Sequence, residues 1–436
     1  MTTPIFDFVK KYAEGKTARF HMPGHKGVGP LGCEAYDITE ISGADVLYSA
    51  DGIIRESENN LSEIYGTAHS FYSTEGSTLA IKAMLAIVSQ GAEGRSVILA
   101  ARNAHAAFIR AAALLDLDVK WIYPADQSHL CDGRVTPEDI RRSLDAMDVK
   151  PSAVYITSPD YLGNMSDIKA ITECLKEYDI PLVVDNAHGA YLKFLPEDMH
   201  PISLGAAMCA DSAHKTLPVL TGGAYLHVSR SFSHFADEAR GALSLFASTS
   251  PSYLTLASLD LCNAHLASDY SGRIAALAKR AEQIKAKIFE MGLTVCGGEP
   301  LKITVKAGTD LSNHLRERGI EVEFSDLDYT VLMLTPENTE KDFERLLDAI
   351  ADFKPCVKSN ENAYIPTPHE AQMTIRKAVF AKNELINAEN AVGRICAAPT
   401  VSCPPAVPIV ISGERITEDD VRLFKHYGIE TVSVVK

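Results

Sequence analysis

A lysine flanked by a hydroxyl and an imidazole follows a short apolar stretch of the chain. The stretch covers residues 206–210, and Ser212, His214 and Lys215 come shortly after it. An apolar run of this length predicts a buried strand, so Lys215 would lie just past a strand end. A lysine amine in a confined setting can form an imine with an aldehyde. Two other interpretations stay open: a turn with a solvated lysine, and a serine acyl-transfer motif, although the companion motifs of the latter are missing.

A carboxylate, Asp185, ends a second apolar stretch, residues 181–184. In open α/β sheets, ligands bind at the carboxyl ends of strands. A buried aspartate there can hold a protonated pyridine nitrogen, which makes the ring an electron sink. Alternatively, Asp185 caps the next helix. Because both residues follow predicted strands, the pair indicates a site for pyridoxal phosphate (PLP), with Lys215 on its aldehyde carbon and Ser212 and His214 holding its phosphate.

A second candidate for phosphate binding is Gly76-Ser77-Thr78, which precedes a helical pattern over residues 79–88. Such a sequence at a helix N-terminus presents backbone N–H groups and two hydroxyls to an anion. An ordinary Ser/Thr N-cap is the alternative. The segment is not a P-loop, because no lysine follows at the required spacing.

Three histidines have positions that suggest a role. His105 follows a predicted strand at residues 96–100, where an imidazole can stack on a flat cofactor ring. His21 and His25 are separated by Pro-Gly, which breaks a helix, so they are not a helical metal pair. We therefore predict no metal site, and interpret this segment as a fixed loop near a site or another subunit.

Strands and helices alternate along the chain, which predicts an α/β fold with a mostly parallel, buried sheet. The predicted domains are an N-terminal helix and arm (1–40), a PLP-binding large domain (41–265), a small α/β domain (266–360) and a C-terminal domain (361–436). Predicted strands are 96–100, 119–123, 153–157, 182–185, 208–211 and 223–227, and predicted helices include 1–20, 106–115, 137–147, 168–178, 252–291 and 369–382.

The composition excludes several classes of protein. A net charge of -15 argues against nucleic acid as the main partner. Nine cysteines without a Cys-x-x-Cys pair indicate reduced thiols in a cytoplasmic protein. No apolar run approaches the roughly 18 residues of a membrane span, so no membrane partner is expected.

Several longer motifs resemble the short form of the Orn/Lys/Arg decarboxylase family, which are PLP enzymes with the aspartate aminotransferase fold (fold type I). They occur in family order over nearly the whole chain. The matching segments are residues 21–27, 71–78, 158–163, 185–190, 212–216 and 249–253, and Pro404, Pro405 and Pro408 with Gly413 and Glu414.

The resemblance implies a role for each matching residue. The implied catalytic residues are Lys215, which would carry the cofactor, Asp185, which would bind the pyridine nitrogen, and His105. Ala187 and His105 would lie on the two ring faces, and His188 near the phenolic oxygen. The implied phosphate ligands are Gly76, Ser77, Thr78, Ser212 and His214, with Thr249 placed to complete the site of a neighbouring subunit. A homodimer with shared active sites, able to assemble further, is therefore implied.

The implied reaction is decarboxylation of a basic amino acid, with arginine or lysine favoured over ornithine, to give carbon dioxide and a polyamine-type amine. Five residues depart from the family pattern: Glu75, Ala106, Val46, Ala398 and Cys403 replace the usual Asn, Lys, acidic residue, Glu and Tyr. Val46, Ala398 and Cys403 lie where the family is expected to contact the side chain of the substrate.

Two alternative functions stay open. One is another PLP reaction, such as a lyase or an aminotransferase that uses Arg316, Arg318 or Arg345. The other is a PLP-binding protein without turnover.

Overall fold

The computed structural model describes residues 1–92, 94–125, 134–354, 368–403 and 407–436. The chain forms two compact units. The first contains Met1–Gln90 and Leu182–Ala275, and the second contains Gly91–Pro181 and Ala276–Lys436. Among the described residues, no helix is long and apolar enough to cross a membrane.

In chain order, the α-helices of the described residues are α1 (Pro4–Glu14), α2 (Ile53–Tyr65), α3 (Gly76–Val88), α4 (Ala106–Leu115), α5 (Pro137–Asp145), α6 (Ile168–Lys176), α7 (Ala213–Thr216), α8 (Phe235–Ser244), α9 (Tyr253–Leu266), α10 (Tyr270–Glu290), α11 (Gly308–Glu317), α12 (Glu340–Ala351), α13 (Ile375–Val379) and α14 (Glu418–His426). The strands are β1 (His69–Ser73), β2 (Val97–Ala101), β3 (Asp118–Ile122), β4 (Ala153–Thr157), β5 (Leu182–Asp185), β6 (Met208–Asp211), β7 (Ala224–Val228), β8 (Val295–Cys296), β9 (Lys302–Val305), β10 (Phe324–Ser325), β11 (Thr330–Met333), β12 (Asn383–Asn387), β13 (Thr400–Cys403), β14 (Val407–Ile411) and β15 (Thr431–Val435).

The first unit contains four fully buried strands in the order β1-β7-β6-β5. β5 and β6 run parallel, with Asp185 opposite Ala210, whereas β7 runs antiparallel to both β6 and β1. Burial on both faces explains why β5 and β6 are apolar up to the aspartate that ends each of them. The parallel pairing places the ends of β5 and β6 side by side.

In the second unit, β4, β2 and β3 pair in parallel, and β10-β11-β9-β8 form a smaller antiparallel sheet. β12 pairs with β15, and β13 with β14. Val410 and Phe424 of the C-terminal segment pack in one apolar cluster with Leu162, Phe324 and Val331. The predicted α/β class is therefore confirmed.

Several predicted helices differ from the observed ones. The helix predicted at residues 1–20 ends at Glu14, because Gly15 takes an extended conformation. The helix predicted at 252–291 is divided into α9 and α10 by a turn at residues 267–269. In place of the helix predicted at 369–382, the structure has the shorter α13 (Ile375–Val379), whose N-cap is Thr374.

A buried carboxylate anchors α1 in the first unit. Asp260 of α9 is fully buried, and its Oδ2 accepts hydrogen bonds from the backbone N–H groups of Ile5 and Phe6, both at 2.9 Å. Its other oxygen accepts from the hydroxyl of Ser57, which lies 2.7 Å from the hydroxyl of Tyr72. Burial raises the pKa of Asp260 to about 6, although the bonds from Ser57, Phe6 and Ile5 oppose the shift. The free N-terminus of α1 is thus capped by a residue far along the chain.

We expect Asp260→Asn to stabilise the protein relative to wild type as the pH rises. The stabilisation from protonated Asp260 is present below the unfolded pKa of about 3.9 and is lost as the pH rises through about 6. Asparagine stays neutral, so the stability of the variant relative to wild type should rise by about 2 kcal/mol between about pH 4.5 and pH 7.5. Thermal unfolding midpoints at both pH values measure this difference.

The matched control is Glu63→Gln, which neutralises an exposed carboxyl group on α2. The unfolding midpoint of Glu63→Gln should differ from that of wild type by nearly the same amount at both pH values. If the difference between Asp260→Asn and wild type were also independent of pH, the raised pKa assigned to Asp260 would be contradicted.

Candidate active site

The lysine singled out in the sequence lies in a single helical turn after β6. Lys215 belongs to α7, and its Nζ lies 3.1 Å from Nε2 of His188. His188 is almost fully buried and belongs to the loop after β5. The structure therefore brings together the lysine amine and one of the predicted cofactor contacts.

Asp185 ends β5 and is 2% exposed. Its Oδ1 accepts a hydrogen bond from the backbone N–H of Ala187 at 3.2 Å. The next helical turn, Ala190–Phe194, has Gly189 as its N-cap and no side-chain cap. Asp185 is therefore not the helix cap that the sequence left open. It is a buried carboxylate next to the end of β6, and α7 follows β6 in the chain.

Two predicted phosphate ligands from distant parts of the chain meet directly. The Ser212 hydroxyl donates to Oγ of Ser77 at 2.7 Å. α3 begins at Gly76, and its N-cap is Glu75, which makes no side-chain cap hydrogen bond. Ser77 and Thr78 thus lie in the first turn rather than at the N-cap position. The hydroxyl pair and this turn together suit a bound anion.

Backbone contacts fix the residues that are predicted to hold phosphate, which we call the cradle: Gly76, Ser77, Thr78, Ser212 and His214. Gly76 has a φ of 71°, in the left-handed region that favours glycine, and its N–H donates to the carbonyl of Gly222 at 2.7 Å. His214, also predicted to bind phosphate, lies with its Nδ1 3.0 Å from the carbonyl oxygen of Gly223. The 222–223 turn therefore supports both halves of the cradle.

The position of Glu75 explains how a carboxylate is tolerated next to a predicted phosphate site. Its Oε1 accepts a hydrogen bond from the backbone N–H of Ser248 at 2.7 Å. The carboxylate is therefore engaged by the exposed segment that contains Thr249. The charge of Glu75 also affects Tyr48: it adds to the larger effect of burial in raising the pKa of the Tyr48 hydroxyl.

Of the other residues singled out in the sequence, Val46 belongs to the first unit, and His105, Ala398 and Cys403 belong to the second. His105 is the N-cap of α4, and its Nδ1 accepts from the backbone N–H of Ala107 at 3.1 Å. Val46 is 40% exposed, and Ala398 packs against the C-terminal apolar cluster. Cys403 ends β13, and residues 404–406 lie outside the described residues. The roles of these residues stay predictions.

Sequence reasoning missed a buried polar cluster behind the cradle. The Asn186 side chain donates to Oδ1 of Asp211 at 2.7 Å, while Oδ2 lies 3.0 Å from Nε2 of His200. Burial opposes ionisation of Asp211, but the charge and hydrogen bond of His200 hold its pKa well below the usual range. The cluster joins the residue after Asp185 to the residue before Ser212. The signal for this cluster in the sequence was Asp211, a carboxylate at the end of the otherwise apolar strand β6.

We expect Glu75→Ala to loosen the segment around Ser248. A lost hydrogen bond of about 1 kcal/mol would raise the local hydrogen–deuterium exchange rate of the Ser248 amide about fivefold. Glu75→Gln keeps an acceptor oxygen and is the control, with a smaller change. An unchanged exchange rate in Glu75→Ala would show that the contact does not hold this segment.

Comparison with known proteins relates this site to a known family. Residues 3–298 match the family model "Orn/Lys/Arg decarboxylase, major domain", and residues 356–428 match "Orn/Lys/Arg decarboxylase, C-terminal domain". An arginine decarboxylase of Bacillus subtilis (strain 168) is 30% identical over 97% of this chain and 93% of its own length. One from Halalkalibacterium halodurans is 30% identical over 96% and 92%.

A solved structure shows the same fold over the whole chain. The lysine decarboxylase of Francisella novicida superimposes with a TM-score of 0.83 and 18% identity, covering 100% of this chain and 81% of that one. The fold class predicted from the sequence motifs is thereby confirmed. With matches to both family models over most of its length, this chain belongs to the Orn/Lys/Arg decarboxylase family.

Proposed function

We propose that the protein is a PLP-dependent decarboxylase of a basic amino acid, with arginine or lysine as the favoured substrate. The observation that carries the proposal is the arrangement in the first unit. A buried carboxylate, Asp185, and a lysine turn, which contains Lys215, follow two neighbouring parallel strands. Family membership and relatives named arginine decarboxylase support the choice of reaction.

The residues present fit the proposed cofactor. Lys215 would bind the aldehyde, and the Ser77 and Ser212 hydroxyls with the first turn of α3 would hold the phosphate. Asp185 would hold the pyridine nitrogen, because a carboxylate at 2% exposure favours a cationic partner. These assignments follow the donor chemistry of each group.

The proposed mechanism assigns one task to each side chain. PLP supplies an electron sink for the electron pair left when carbon dioxide departs. Asp185 keeps a proton on the pyridine nitrogen, without which the sink is weak. Lys215 would hold the aldehyde carbon, and its amine could deliver a proton to Cα of the substrate. His188, whose Nε2 lies 3.1 Å from Nζ of Lys215, could exchange a proton with it. His105 would lie on the ring face and is the alternative acid.

Two of the three arginines suggested for an aminotransferase have carboxylate partners. Arg316 donates to Glu321 at 2.8 Å, and Arg318 lies 3.8 Å from Asp352. Both guanidinium groups are thus already engaged by carboxylates of their own unit.

We also propose a homodimer. Its support is the N-terminal arm, where Phe20, Val28 and Leu31 are 95%, 80% and 82% exposed. Large apolar side chains exposed together are typical of an interaction surface. The exposed position of Thr249 is compatible with its predicted reach to a neighbouring subunit.

The function is tested by mixing PLP-loaded protein with saturating arginine, lysine and ornithine. We expect carbon dioxide and the matching amine from at least one of them, identified by mass spectrometry. If none of the three gives carbon dioxide, the proposal is wrong. A product only from a non-basic amino acid would mean that Val46, Ala398 and Cys403 have redirected the site.

Asp185→Asn should lower the decarboxylation rate by at least about 100-fold, or about 2.7 kcal/mol, because the amide cannot hold the pyridine proton. The cofactor absorbance should remain, since Lys215 is intact. Asp198→Asn, which removes a carboxylate that pairs with Lys193, is the control and should keep near-normal turnover. A rate for Asp185→Asn within twofold of wild type would exclude the assigned role.

A further inference from the structure

We propose that His200, Cys209 and Asp211, completed by His227, form a structural zinc site beneath the cofactor cradle. This inference does not depend on the proposed reaction. All four side chains belong to the first unit and are fully buried. Histidine, cysteine and carboxylate side chains are the donors that zinc takes in four-coordinate protein sites.

The donor atoms lie within a few tenths of an ångström of the spacing that one tetrahedral ion requires. Nε2 of His200 lies 3.0 Å from Oδ2 of Asp211 and 3.8 Å from Sγ of Cys209. Sγ lies 3.6 Å from Oδ1 of Asp211, and one donor atom from each of the three residues fits within 4.8 Å. Tetrahedral zinc with Zn–N of about 2.0–2.1 Å and Zn–S of about 2.3 Å separates its donors by about 3.3–3.6 Å.

His227 supplies an independent indication. Its fully buried Nε2 lies 3.4 Å from Oδ2 of Asp211, which is beyond the usual length of a hydrogen bond. Its Nδ1 lies 2.7 Å from the Ser70 hydroxyl. A proton on Nδ1, donated to Ser70, would leave the Nε2 lone pair directed at the cluster. This is the orientation that an outer hydrogen bond usually gives to a zinc-bound histidine.

The strand register explains why these residues converge. Alternation along β6 places Cys209 and Asp211 on one face of the sheet. In the antiparallel pair with β7, Cys209 is directly opposite His227. His200 lies in the loop before β6 and supplies its ring to the same face. Three of the four donors are thus fixed by two paired strands.

Charge balance favours a divalent ion at this position. Zinc with the carboxylate and a Cys209 thiolate would make the site neutral. The Asn186–Asp211 hydrogen bond would then connect the metal to the loop that follows Asp185.

The test is the zinc content of the untagged full-length protein, purified from a zinc-supplemented culture because a fully buried site must be loaded during folding. We expect about one zinc per chain by plasma mass spectrometry, kept during dialysis against a chelator and released on denaturation. X-ray absorption at the zinc edge should show one sulfur at about 2.3 Å.

Cys209→Ala should lower the zinc content at least about tenfold, and His227→Asn should also lower it. Cys262→Ala is the matched control, because Cys262 is a buried thiol of α9 outside the cluster, and its zinc content should equal that of wild type. Wild-type protein with less than about one zinc in ten chains, or zinc without a sulfur ligand, would reduce the cluster to a hydrogen-bond network and overturn the proposal. Because the wild-type measurements suffice for this decision, a variant that fails to fold leaves the test intact.

Discussion

The parallel pairing of β5 with β6 is the constraint on which the rest of the site depends. It brings Asp185 and the turn that contains Lys215 to the same edge of the sheet, although thirty residues separate them in the chain. Both strands are fully buried, and a slip of one residue would exchange the side chains on the two faces of each strand. The pairing of two strands thus places a carboxylate and the turn that contains the lysine at neighbouring strand ends.

The first unit contains several buried acidic side chains, and the partners of three of them can be identified. Asp211 is held by Asn186 and His200, and Asp260 by the N-terminus of α1. Glu58 accepts from Arg240 and lies 3.1 Å from Nε2 of His69. Breaking one partner of such a group leaves an uncompensated buried charge, which costs several kcal/mol. These contacts therefore favour a single packing of the first unit, which contains the cradle.

The strands that position the site could be predicted from the sequence, because their signal is local. The apolar runs at 182–185 and 208–211 are β5 and β6, and the helical pattern at 106–115 is α4. Contacts between distant residues could not be predicted. The bond from the Ile5 N–H to Asp260 spans 255 positions, and that from the Ser248 N–H to Glu75 spans 173.

The C-terminal segment shows a second reason why parts of the fold could not be predicted from the sequence. β12 is alternately exposed and half-buried, and several of its residues are polar, so it lacks the apolar run of the buried strands. Its pairing with β15, with Asn383 opposite Val435, gives the strand its structure. The family motifs carried the prediction of the site further than any local pattern, because they occur in the same order along most of the chain.

The most direct test of the account is the identity of the lysine that carries the cofactor. PLP-loaded protein would be reduced with borohydride, digested and analysed by peptide mass spectrometry. The account predicts that the pyridoxyl group is found on Lys215. A pyridoxyl group on another lysine, or no covalent adduct at all, would contradict the assignment of the active site to the ends of β5 and β6.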